Sequence, residues 1–110
     1  MDQELDRTLA ALADPTRRGV IQRLQARPHR AGELADSFSM SRPAMSRHLR
    51  VLRKAGLVEE DELEDDARVR LYRLRHEPFL ALRAWLDEVE SFWESQLDSF
   101  KEHVERRRPS

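Results

Sequence analysis

The chain has no cysteine, three glycines and one tyrosine in 110 residues, and aromatic side chains make up only 6% of it. Without cysteine there is no disulfide, no thiolate metal site and no cysteine nucleophile. The three glycines stand far apart, at Gly19, Gly32 and Gly56, so no glycine-rich phosphate loop exists. No Ser/His/Asp constellation falls in a plausible pocket, and an enzyme is not expected. No apolar run is long enough to span a bilayer, and Met1-Asp-Gln-Glu-Leu5 lacks the pattern of a signal peptide. The expectation is a cytoplasmic protein with no membrane partner and no cofactor.

The remaining composition, 39% hydrophobic and 37% charged, suits one small helix-rich domain with a modest core, to which a symmetric partner could usefully add. The net charge of −1 hides a segregation. Residues 27–54 carry seven Arg or Lys against two acids, Glu33 and Asp36, whereas residues 59–66 carry seven acids and no base. A local basic face, more than the chain total, governs steering toward phosphate.

The stretch Ser41-Arg-Pro-Ala-Met-Ser-Arg-His-Leu-Arg-Val-Leu-Arg-Lys54 contains no acid at all. Met45, Leu49 and Leu52 fall at i, i+4 and i+7, one face of a helix. Ser41 is a good N-cap, and Pro43 sits in the first turn, where a missing N–H costs little. The other face holds Arg42, Ser46, Arg47, Arg50, Arg53 and Lys54. A helix buried on one side and presenting only donors on the other is shaped for phosphates and base edges. An ordinary solvated face gives the same pattern, so its neighbours decide.

Before it, residues 3–13 form a short amphipathic helix with Leu5, Leu9, Leu12 and Ala13 on one side. Asp14-Pro15-Thr16 stops that helix and starts another, with Val20, Ile21 and Leu24 facing inward. Arg17 and Arg18 lie in its first turn, where cations oppose the helix dipole, so a nearby acid or a phosphate is expected to offset them. Pro28 ends the second helix. Ala31–Phe38 is a third helix, with Leu34, Ala35 and Phe38 inward, and a tight turn at Ser39-Met-Ser41 leads into the basic helix. Two short helices joined by a tight turn, the second capped by Ser and rich in Arg, are the helix-turn-helix pattern.

Gly56 is expected at C′ of the basic helix. The runs 58–63 and 68–74 then read as a hairpin wing, with Arg68, Arg70 and Arg73 on its return strand available to phosphate or a minor groove. From Glu77 to about Glu105 runs one long periodic segment. Leu82, Leu86, Val89, Trp93, Leu97, Phe100 and Val104 step by threes and fours, widened by Phe79, Trp85 and Phe92. Its aromatics need a second surface, expected from the first helix and another copy of the chain. A helix folded back on its own core is the competing possibility. Residues 106–110 form a basic tail.

This order of elements resembles the ArsR-type winged helix-turn-helix repressors. Leu12-Ala-Asp-Pro-Thr-Arg-Arg18 resembles the family's opening of the second helix. Glu33-Leu-Ala-Asp36 and Met40 through Val58 are similar to its supporting and recognition helices, and Val69-Arg-Leu-Tyr-Arg-Leu74 to its returning wing strand. The resemblance covers almost the whole chain. It implies a homodimeric DNA-binding transcriptional regulator, usually a repressor released by an inducer, dimerised through its first and last helices. Two departures stand out. The supporting helix has no cysteine for a metal, leaving only Asp87, Glu90, Glu94, Asp98, Glu102 and His103 on the last helix as candidate ligands. The wing tip is acidic, which repels phosphate.

The expected fold is mainly α with a small β-hairpin wing. It comprises a winged helix-turn-helix at 1–76, with recognition helix about 42–54 and wing about 58–74, and a dimerisation helix at 77–105. Arg42, Ser46 and Arg47 are expected to touch bases of double-stranded DNA. Ser41, Arg50, Lys54, Arg68 and Arg70 are expected on its backbone. Leu5, Leu9, Leu86, Val89, Trp93, Leu97 and Phe100 are expected at a homodimer interface. His48, between the two faces, is expected to pack or hydrogen-bond. No metal is expected. The alternatives are a protein-interaction module using the long aromatic helix and a metal-responsive repressor with a carboxylate/His site there. No inducer can be read from the residues.

Overall fold

A computed structural model describes residues 3–63 and 66–107, with the side chains of 62–69 outside the description. The elements run α1 (Gln3–Ala11), α2 (Pro15–Ala26), β1 (His29–Arg30), α3 (Ala31–Ser37), α4 (Arg42–Lys54), β2 (Val58–Leu63), β3 (Asp66–Leu74) and α5 (Glu77–Arg107). They fall into two compact units, residues 1–79 and 80–110.

In the first unit several helix boundaries have a visible chemical cause. The Asp14 carboxylate accepts from the Arg17 backbone N–H at 3.0 Å, capping α2 with Pro15 in its first turn. Ser41 Oγ does the same for α4, accepting from Ala44 N–H at 3.3 Å. At the other end of α4, Gly56 takes φ +77°. Its N–H donates to Arg53 O at 3.0 Å and that of Leu57 to Leu52 O at 3.0 Å, the two bonds of a Schellman motif. The tight turn between α3 and α4 is built the same way. Ser39 N–H donates to Asp36 O at 3.2 Å and Met40 N–H to Ala35 O at 2.9 Å. Here the left-handed residue is Ser39, at φ +50°, a conformation glycine adopts at lower cost.

The sheet has three antiparallel strands in the order β1-β3-β2. The expected hairpin is β2–β3, with Val58 opposite Leu74 and Glu60 opposite Tyr72. The short strand β1, not expected from sequence, adds to its other edge, His29 opposite Tyr72 and Arg30 opposite Leu71. Thus β1 ties the segment before α3 to the wing.

The core of this unit gathers Val20, Ile21 and Leu24 of α2, Leu34 and Ala35 of α3, and Met45, Leu49 and Leu52 of α4. Ala11, Leu57 and Val58 complete it, with Phe38, Tyr72, Leu74 and Phe79 partly buried against it. α1 departs from expectation. It ends at Ala11, and Ala13 is exposed. The residues it buries are Thr8 and Ala11; Leu5 is half-buried and Leu9 40% exposed. The second unit is helical throughout its described length, and its large apolar side chains are mostly exposed.

Candidate nucleic-acid interface

α4 buries Met45, Leu49 and Leu52 completely, and this fixes which way its other side chains project. At 100° per residue the direction opposite that stripe is held by Arg47, Arg50 and Lys54, all exposed, with Ser46 exposed beside them. One flank of α4 faces α3 and the sheet. There Arg53 Nη1 donates to Glu60 Oε2 at 2.7 Å. The Arg42 guanidinium covers Gly32 of α3, where an added Cβ would lie 3.0 Å from Nη2. The other flank faces the α1–α2 corner. There His48 Nδ1 lies 3.4 Å from Arg17 Nη1 and 3.9 Å from Asp14 Oδ2. His48 therefore turns toward the protein, with its side chain only 22% exposed.

The two arginines that oppose the α2 dipole are satisfied by a partner that sequence reasoning missed. Arg17 Nε donates to Ala11 O at 2.7 Å and its Nη2 to Ala10 O at 3.3 Å. Arg18 Nη1 donates to Leu12 O at 2.8 Å. These carbonyls lie at and just past the negative dipole end of α1, so one helix start closes the previous helix end. The same corner supplies Asp14, whose carboxyl lies below its usual range because of the bond from Arg17 N–H, helped by the charges of His48 and Arg17.

The acidic run on β2 is largely consumed within the sheet. Arg73 pairs with Glu59, and its Nε donates to Asp61 Oδ2 at 2.6 Å. These carboxylates hold the Arg73 guanidinium more firmly protonated. Glu60, with its side chain only 13% exposed, sits between Arg53 and Arg70, the latter at 3.5 Å. Burial, and secondly the Glu60 charge, pushes the Tyr72 phenol up. β2 acids thus neutralise wing arginines and hold the end of α4, and Arg73 is committed to that role. Arg70 is exposed. The side chain of Arg68 lies outside the described residues, as does the acidic tip at 64–65.

Arg30, Ala31, Gly32, Glu33, Asp36, Arg42, Arg70 and Tyr72 line a cleft of about 450 Å³ between α3, the start of α4 and β3. A more apolar groove of about 620 Å³ opens between α1 and the C-terminal half of α4, lined by Arg7, Ala10, Ala11, Arg17, Val51, Lys54 and Ala55. On α5, Leu86, Val89, Trp93, Leu97 and Phe100 are between 37% and 66% exposed, and Phe92 meets Trp93 edge to face at 6.4 Å. Among the described residues no three of His, Asp and Glu are grouped as metal ligands would be, and no helix is long and apolar enough to cross a membrane.

Known proteins share both the sequence and this arrangement. A helix-turn-helix domain model matches residues 12–61. The HTH-type transcriptional regulator Rv2034 of Mycobacterium tuberculosis is 39% identical over 100 residues, 91% of this chain and 88% of that protein. The transcriptional repressor SdpR of Bacillus subtilis is 32% identical over 56 residues, 51% of this chain and 62% of that one. Among solved structures, an ArsR family transcriptional regulator superposes with TM-score 0.76 at 39% identity, covering 84% of this chain and 93% of its own. An ArsR-like regulator from Rhodococcus superposes with TM-score 0.82 at 27% identity, covering 96% and 94%. With its capped recognition helix, three-stranded wing and these relatives, the chain belongs to the ArsR-type winged helix-turn-helix family, DNA-binding regulators of transcription.

Proposed function

We propose that the protein is a homodimeric repressor that sets two copies of α4 into successive major grooves of an inverted-repeat operator, about 34 Å apart. The observation that carries this is the division of α4. Three apolar residues are fully buried, while Arg47, Arg50 and Lys54 face solvent with no acid between them. On this reading Ser46 and Arg47 read base edges, and Ser41, Arg50, Lys54 and Arg70 hold phosphates. Phosphate contacts set position, and base contacts set sequence. The repressor assignment draws on the likeness to SdpR.

The dimer is supported by α5, whose Trp93, Leu97 and Phe100 are each at least 60% exposed in the single chain. A contiguous apolar stripe of this kind marks an interaction surface. In the first unit, Leu9 of α1 is likewise exposed, at 40%. The same stripe supports a second reading, a helix that docks on a different protein. Light scattering on the purified chain separates the two: a homodimer is expected, and a monomer at micromolar concentration favours the second.

The groove assignment is tested by selecting duplexes from random DNA with the wild-type protein and comparing Arg47→Ala on the recovered sequence. A guanine contact by Arg47 is worth about 1–3 kcal/mol of discrimination. The variant is expected to lose preference at one position of each half-site. Unchanged affinity and unchanged preference would remove α4 from the groove.

A further inference from the structure

We propose that the cleft bounded by Arg30, Arg42, Arg70 and Tyr72 is a seat for one backbone phosphate of the bound duplex in each half-site, so that Arg42 anchors the protein and does not read a base. The inference rests on the DNA-binding reading of α4 and adds a site to it.

Three arginines from three elements line this one cleft, Arg30 at the β1–α3 junction, Arg42 at the first turn of α4, and Arg70 on β3, together with the acids Glu33 and Asp36. Gathering like charges is unfavourable unless something answers them. The acids at hand do so poorly. Glu33 already accepts from Arg27 Nη2 at 3.0 Å and from the Arg30 backbone N–H at 3.1 Å, with His29 at 3.5 Å. Asp36 makes no ion pair with Arg30 or Arg42, and neither arginine has an acid partner among the described residues. Arg70 is already engaged, with Glu60 at 3.5 Å, so the arginines left to answer are Arg30 and Arg42. A ligand able to answer several arginines lining one cleft from different elements is a tetrahedral anion with several acceptor oxygens.

The direction of Arg42 points the same way. Its guanidinium turns back over Gly32, where a Cβ would stand 3.3 Å from Cζ and 3.4 Å from Nε, and not out beside Arg47. Glycine at this position gives the guanidinium room that a Cβ would narrow by a few tenths of an ångström. The cleft also joins the reading head to the wing, since Arg30 is paired across the sheet with Leu71. A phosphate held there fixes the register of both on the duplex at once.

The test uses the full chain and a duplex selected by the wild-type protein, with affinity followed from 50 to 200 mM salt. The variants are R30Q, R42Q, R30Q/R42Q, R42K and, for contrast, R47Q. The double variant is expected to lower the slope of log affinity against log salt by about 0.9 per half-site, the signature of one lost phosphate contact. Its base preferences should stay as in the wild type, and R42K should restore part of the slope. Neutral methylphosphonate links, scanned along the duplex, should weaken the wild type severalfold at one position per half-site and leave the double variant indifferent there. A wild-type slope and scan in R30Q/R42Q would overturn the proposal. So would an R42Q that changes preference at a base pair with its slope intact. Titration with inorganic phosphate separates a free-anion site: lost phosphate binding with DNA binding unaltered also overturns it. A wild-type chain that binds no duplex refutes the DNA-binding reading itself.

Discussion

The two units treat apolar side chains in opposite ways. Up to Phe79, three helices and the start of the wing bury Val20, Leu34, Met45, Leu49, Leu52 and Leu57 to 1% exposure or less. Beyond it, Phe92, Trp93, Leu97 and Phe100 stay at 60% or more. The first unit closes its own core; the second is a helix whose apolar face stays exposed in the single chain. Stability of the one should depend on its own packing, and stability of the other on concentration and partner.

The largest effect should come from breaking the closed core. Leu49→Ala removes a fully buried side chain of α4 and is expected to cost about 2–5 kcal/mol, read as a lowered urea midpoint that does not vary with protein concentration. Trp93→Ala with Leu97→Ala should do the reverse. The melting of the first unit at high dilution stays near wild type, while dimer dissociation, followed by sedimentation, rises about a hundredfold or more. A concentration-independent loss like that of Leu49→Ala would mean that the two units are not distinct in this way.

Smaller changes sharpen the picture of the first unit. Ser39→Gly relieves the left-handed residue in the α3–α4 turn and is expected to raise stability by about 1 kcal/mol in the same urea assay. An unchanged or lowered midpoint would show that Ser39 carries no strain. The smallest effect concerns acid. The bond from the Arg30 N–H, with Arg27 next, lowers the Glu33 carboxyl to about 2 from its ordinary 4.5. A depressed carboxyl contributes stability above pH about 4.5 and loses it as the pH falls toward 2. Being exposed, it contributes little. Glu33→Gln should slightly narrow the difference between urea midpoints at pH 5 and pH 3, and a difference as wide as the wild type's would contradict the assignment.

Much of this was legible in the residues because the signals were local. Asp14-Pro15 and Ser41 with Pro43 mark helix starts, Gly56 marks a stop, and the spacing of Met45, Leu49 and Leu52 orients α4. What escaped notice depends on contacts between elements. A two-residue strand such as His29–Arg30 has no period to read; only pairing with Leu71 and Tyr72 creates it. Arg17 and Arg18 look misplaced until the carbonyls of Ala10, Ala11 and Leu12 lie beside them. The acids at 59–61 read only as part of an acidic run, yet β pairing sets them against Arg70 and Arg73 and the end of α4 brings Arg53. Arg42 and Arg47, five residues apart on one helix, looked equivalent, and only Gly32 separates their surroundings.

The most direct test is the mass, by light scattering, of the complex formed at micromolar concentration on a selected duplex. The account predicts two chains on one inverted repeat, reduced by Trp93→Ala/Leu97→Ala to weak binding by single chains. One wild-type chain per duplex, or tight binding undisturbed by loss of the α5 aromatic face, would contradict it.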